Sequence, residues 1–153
     1  DKLNMLITLI SIVVTIISMV RACKLSKSNK QYKREILQLR STFDLVALLN
    51  NFQVESDHFQ DRTRGKDWHR GIDSTPVISP FRKVLSSFGS LYHLMENKTV
   101  IKDKVNELNV IVQTYENATS HKREKVTVLI LEITNMLQEE VYKNTKKVIN
   151  SKD

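Results

Sequence analysis

The stretch LNMLITLISIVVTIISMV, residues 3–20, decides how the rest of the chain is read. It carries no charge and is mostly Leu, Ile, Val and Met. An uncharged apolar run of about 18 residues is the mark of a membrane-spanning helix, here a short one. Its polar residues are Asn4, Thr8, Ser11, Thr15 and Ser18, spaced 4, 3, 4 and 3. That spacing puts all five on one helical stripe. Lipid gives such a stripe nothing to bond, whereas helix–helix contacts or a water-lined pore would satisfy it. The alternative is a plain anchor helix in which each Ser and Thr bonds its own backbone. A secretory signal peptide is the main competitor, since Lys2 and the apolar core suit one. Val20-Arg21-Ala22-Cys23 faintly resembles a lipoprotein cleavage box, but the bulky charge of Arg21 departs from it.

Outward from this run, charge gives the orientation. The net charge is +7. Residues 1–20 contribute none of it and residues 21–40 contribute +6, from Arg21, Lys24, Lys27, Lys30, Lys33, Arg34 and Arg40 against Glu35. The basic character is therefore a feature of the segment beside the span, and it is not the footprint of a duplex-DNA-binding domain. Positive charge next to a span marks the cytoplasmic side, and the same lysines favour anionic lipid headgroups. The expected layout is a transmembrane helix at 3–20, a basic juxtamembrane segment at 21–30 and a cytosolic helical domain at 31–150. That places the protein in the cell inner membrane as a single-pass chain. One cysteine, Cys23, precludes an intramolecular disulfide and agrees with a reducing compartment.

Three glycines and two prolines, with long periodic segments, predict an all-α protein. Residues 31–54 repeat Tyr32, Ile36, Leu39, Phe43 and Val46 at intervals of 4 and 3. Carried back through Asn29, Leu25 and Ala22, this register joins the polar stripe of the span without a slip. A shared seam of this kind suggests parallel self-association and a homo-oligomeric bundle. Leu37, Leu45, Leu48, Leu49 and Phe52 widen the apolar face, and that extra width has to be covered by later helices. Ser79-Pro80 predicts a helix start, followed by an inward face of Leu85, Phe88, Leu91, Tyr92 and Met95. A third helix is expected over 99–116 and a fourth over 122–150. The run Val128-Leu129-Ile130-Leu131 predicts burial on several sides.

Residues 55–80 show no sustained period and contain Gly65, Gly71, Pro76 and Pro80, which predicts a long polar loop. Its middle, RTRGKDWHR at 62–70, holds Arg62, Arg64, Lys66, Trp68, His69 and Arg70. Guanidinium groups pair with phosphate in forked geometry, Trp and His offer faces for a base to stack on, and Gly65 lets backbone approach an anion. Arg82 and Lys83, read as lying in the first turn of the next helix, extend this candidate anion site. The bland alternative is that nearby acids neutralise the loop and Trp68 pins it to the core. No phosphate-binding loop, zinc-protease motif or nucleophile elbow is present. His58, His69, His93 and His121 are dispersed, so no catalytic set, metal site or cofactor is expected.

Span, basic edge and helical domain with a basic-aromatic loop resemble, in layout, the single-span accessory effectors of type III CRISPR defence. The resemblance rests on residues 3–20, 21–34 and 62–70. It implies a cytosolic domain that binds cyclic oligoadenylate, cyclic tetra-adenylate in particular, and a tetramer-like ring of subunits that opens or perturbs the membrane. The alternative from a different class is a membrane-anchored coiled-coil scaffold or phage lysis regulator with no small ligand.

Overall fold

The computed structural model describes residues 2–65, 68, 73–115 and 118–150, and within these the side chains from residue 14 onward. Among the described residues it is all-helical. The helices are α1 (Lys2–Arg62), α2 (Thr75–Leu91), a 3-10 turn (Tyr92–Leu94), α3 (Lys98–Gln113) and α4 (Ser120–Asn150). The chain divides into two units, Asp1–Gln38 and Leu39–Asp153.

The first unit consists of α1 residues. Val14, Ile16, Ile17, Met19 and Val20 are all exposed, as are Thr15 and Ser18 of the polar stripe. Among the described residues no helix is long and apolar enough to cross a membrane. The side chains of residues 3–13, most of the span expected at 3–20 and including Asn4, Thr8 and Ser11, lie outside those described. The span is thus carried by the sequence alone.

The second unit holds the core. The remaining part of α1 puts Leu45, Leu48, Phe52, Ser56 and Phe59 inward, at helical intervals of 3 and 4, and Thr63 just past its end is buried too. Against them pack Phe81, Leu85 and Phe88 of α2, Ile101, Val105, Leu108 and Val112 of α3, and Val126, Leu129, Ile130, Ile133 and Leu137 of α4. A run of aromatic contacts crosses this core. Phe88 meets Phe52 edge-on at 5.6 Å, Phe59 stacks on Phe81 at 4.8 Å, and Phe59 lies 4.8 Å from Tyr115. Each such pair adds about 0.5–1.5 kcal/mol beyond the area it buries. Ion pairs Lys104–Glu132 (2.7 Å) and Lys125–Glu107 (2.5 Å) flank the α3–α4 packing.

The structure corrects the sequence reading at four places. Residues 55–62 are helical, because Ser56 and Phe59 still face the core while the polar residues among them occupy the other side. The expected 55–80 loop therefore shrinks to the short connection between α1 and α2. Next, α2 begins at Thr75 rather than at Ser79-Pro80. Pro76 occupies its first turn, Asp73 Oδ1 accepts the Thr75 N–H at 3.0 Å, and Pro80 lies inside the helix. The proline at 80 gives up only the bond that would reach residue 76 in the opening turn, so the helix tolerates it. Arg82 and Lys83 are consequently not in the first turn, where they were expected to strengthen an anion site. Last, the 128–131 run is buried only through Leu129 and Ile130, and Val128 and Leu131 are exposed.

Among the described residues one carboxylate is buried, that of Glu140, which is 0% exposed. Its oxygens accept the backbone N–H groups of Glu96 at 2.8 Å and Asn97 at 3.0 Å. These amides lie just before α3, at and next to its N-cap Asn97, whose side chain supplies no cap bond of its own. The first amides of a helix have no intrahelical partner, so α4 provides the α3 cap from across the bundle.

Candidate functional site

Two surfaces of the second unit compete as the working site. The first is the connection after α1. The Thr63 hydroxyl donates to the Phe59 carbonyl at 2.7 Å and closes the helix end. Gly65 follows at φ 106°, a backbone conformation that L side chains rarely adopt. The Gly65 carbonyl accepts a bond from Arg123 Nη1 of α4. The Arg123 guanidinium also lies 5.9 Å from the centre of the Tyr115 ring, and its Nε donates to the Ala118 carbonyl at 3.3 Å. Trp68 is half-buried, packs against the core and stands 6.2 Å from Tyr115. Tyr115 and Arg123 thus hold the described part of this connection onto the bundle.

Of the residues singled out from sequence, Arg62 and Arg64 are exposed at the end of α1, and Arg64 pairs with Asp61 at 3.4 Å. Arg82 and Lys83 are exposed on α2. Lys66, His69 and Arg70 lie outside the described residues. The geometry joins Gly65 and Trp68 to Arg123 and Tyr115, two residues that sequence reasoning did not select. Arg123 follows the loop by 58 positions, and no local motif marks it. His58, His93 and His121 are exposed, and among the described residues no group of His, Cys, Asp and Glu could hold a metal ion.

The second surface is the outer face of α1. Phe43 is 70% exposed and Leu39 43%, although Leu45, two residues beyond Phe43, is 0% exposed. The exposed residues continue the 3-4 register, and the buried ones lie on the opposite side of the helix. Farther along, the same register passes Asn50, Gln53, Asp57 and Gln60, which form one wall of an open groove of about 690 Å³ between α1 and α4. Val54, Ile130 and Leu131 supply its apolar lining. In the first unit, Leu25, Tyr32 and Ile36 of the register are also exposed.

Electrostatics elsewhere on the bundle are structural. Glu96 receives Lys147 Nζ at 2.6 Å, and that bond and charge hold its carboxyl below the usual range. Lys143 bonds Glu139 at 2.7 Å, which raises its ammonium above the ordinary lysine value. No protein-family model, curated protein or solved structure matches this chain.

Proposed function

We propose that this chain is a membrane-anchored helical interaction protein, the scaffold class of function. In this reading residues 3–20 lie in the inner membrane and the basic residues of 21–40 face anionic headgroups on the cytoplasmic side. The helical bundle then presents the outer face of α1 to partner helices. The observation that carries it is the contrast along α1, where Leu45, Leu48 and Phe52 are buried in the bundle while Leu39 and Phe43 stay exposed. Exposed apolar residues in sustained helical register mark a docking face. Binding, with no catalytic step, is the activity assigned.

Phe43→Asp tests this. Its side chain stands clear of the core, so the fold should keep its melting temperature, while large assemblies seen on native gels of solubilised membranes should disappear. Assemblies of unchanged size in the variant would remove the reading.

A second reading has support from Arg62 and Arg64. Both are exposed beside a backbone turn that Arg123 holds in place, an arrangement suited to a phosphate-bearing ligand. Here the protein is a ligand-gated effector of antiviral defence that binds cyclic tetra-adenylate or a related nucleotide and perturbs the membrane as a homo-oligomer. Calorimetry of the full chain against cyclic and linear nucleotides separates the two. Saturable heat that vanishes in the triple variant Arg62→Ala, Arg64→Ala, Arg70→Ala favours the effector. Absence of heat with every nucleotide leaves the interaction protein.

A further inference from the structure

We infer that the groove between α1 and α4 is a docking site for a basic amphipathic helix of a partner protein, seated with its cationic end beside Asp57. This rests on the interaction-protein reading above and names the chemistry of one partner. Every residue of the site belongs to the second unit.

The groove follows from side-chain size. Phe52 and Phe59 of α1 are buried in the bundle, and Ser56 between them is buried as well but small. Ser56 shares the groove with Ile130 of α4, and its hydroxyl donates to the Gln53 carbonyl of its own helix at 2.9 Å. A short side chain at this level leaves a gap between the two helices. Val54 on one lip and Leu131 on the other stay exposed, at 51% and 60%, and so does Val128 one turn before Leu131.

Three observations select the occupant. The first is the nature of the walls. Both are α-helices, whose backbone groups are bonded within the helix. They offer no strand edge to an extended peptide, so the occupant has to satisfy its own backbone, as a helix does. The second is length. The α1 wall runs from Asn50 to Gln60, about 15 Å at 1.5 Å per residue. About three helical turns fill that length, and an apolar stripe along them covers Val54, Leu131 and Val128.

The third is charge. Among the described residues Asp57 is the one charged member of the groove lining, and the other polar members are carboxamides and hydroxyls. Arg123 at the start of α4 bonds Gly65 just past the end of α1, so the two helices run antiparallel. Asp61, one turn beyond Asp57, and Glu124, one turn before Thr127, are therefore exposed at the same end of the groove. Arg64 offsets part of the Asp61 charge. The opposite end, at Asn50 and Thr134, has no charged lining residue. A groove acidic at one end and neutral at the other accepts Lys or Arg in one terminal turn of the incoming helix and repels Asp or Glu there.

The test uses the full chain in nanodiscs of neutral phosphatidylcholine, with Cys23→Ser as background and a dye on Asn50→Cys or Gln60→Cys. The probe is a synthetic helix of about 14 residues, with leucines along one face, lysines in its last turn and a quencher at that end. Quenching should saturate, and it should be stronger from position 60 than from position 50. A probe with glutamates in place of its lysines should bind at least about five-fold more weakly. Val54→Gln and Leu131→Gln should each weaken the lysine probe about ten-fold, with unchanged melting temperatures because both side chains are exposed. Asp57→Asn should weaken it about two- to five-fold. Quenching that ignores these variants, equal quenching at both positions, or no preference for lysines overturns the inference. So does shielding of the dye in nanodiscs without probe, which puts lipid or a second copy in the groove. The Phe43→Asp test is separate, since Phe43 is not among the groove residues. No probe binding alongside a Phe43-dependent assembly ends only this inference. A probe seated in the groove, with assemblies indifferent to Phe43→Asp, ends the reading of the α1 outer face instead.

Discussion

Replacing Glu140 gives the sharpest test of how the bundle is held. Its carboxylate is fully buried and receives two backbone N–H groups at the start of α3. A hydrogen bond to a charged acceptor contributes about 1.5–3 kcal/mol. Burying the carboxylate offsets part of the sum. Glu140→Ala removes both acceptors, leaves two amides without partners and opens a void, for an expected loss of about 3–5 kcal/mol. Glu140→Gln keeps the shape but turns an amide NH2 toward one of the backbone donors, for a loss of about 2 kcal/mol. The neighbouring Glu139→Ala removes only an exposed pair with Lys143 at 2.7 Å and should leave stability close to the parent's. The assay is thermal unfolding followed by far-UV circular dichroism, on the full chain in non-ionic detergent. For a chain of this size 1 kcal/mol moves the midpoint by about 2–4 °C. Glu140→Ala should therefore lower it by about 10 °C, Glu140→Gln by about half as much and Glu139→Ala by less than about 2 °C. An alanine variant that melts with the parent would refute the cross-bundle cap.

Two further outcomes follow from the described geometry. Gly65→Ala should lower stability by about 1–2 kcal/mol through its positive φ alone, because a Cβ there meets no atom within 4 Å; equal midpoints for variant and parent would show that the turn relaxes freely. Acid should destabilise the bundle, since the Glu96 carboxyl is held down by Lys147, and that of Asp73 by the side-chain and backbone bonds of Thr75. Groups with depressed folded values stabilise fully above their ordinary values of 4.5 and 3.8, and that contribution is lost as pH falls through the lower folded values. Lys143, raised chiefly by its bond to Glu139, acts in the opposite sense, its contribution being complete below 10.5 and lost as pH rises through the higher folded value. Midpoints measured against pH should fall at both ends, and Lys147→Ala should flatten the acid limb.

Much of the bundle was legible in the sequence because apolar spacing reports burial directly. Leu85, Phe88 and Met95 were placed on an inward face and are buried there, and Leu91 and Tyr92 of the same face are half-buried. The wide apolar face of α1 called for cover; Leu45, Leu48 and Phe52 received it, Leu49 did in part, and Leu37 stays exposed. The errors came where periodicity is sparse. In 55–62 only Ser56 and Phe59 face inward, and a buried serine does not read as apolar, so a helix passed for a loop. Thr75-Pro76 and Ser79-Pro80 carry the same start signature, and the choice between them was made by Asp73 accepting the Thr75 amide. Val128 and Leu131 were expected inside, but the α1–α4 groove opens beside Leu131. At the loop, Trp68 was visible as either a stacking platform or a core pin. Its neighbours Tyr115 and Arg123 were not visible, because they approach through tertiary packing alone.

The cap on α3 also bears on the order in which the chain is made. Glu140 follows the amides it binds by 43 and 44 positions. During synthesis α3 leaves the ribosome well before residue 140 does, and until then the Glu96 and Asn97 amides at its entrance lack the Glu140 carboxylate. Short helices of this kind are marginal alone. A nascent chain that stalls before residue 140 therefore exposes α3 half-formed and the apolar faces of α1 and α2 uncovered. The interval between synthesis of α3 and of residue 140 is therefore the one in which the unfinished bundle is open to proteases.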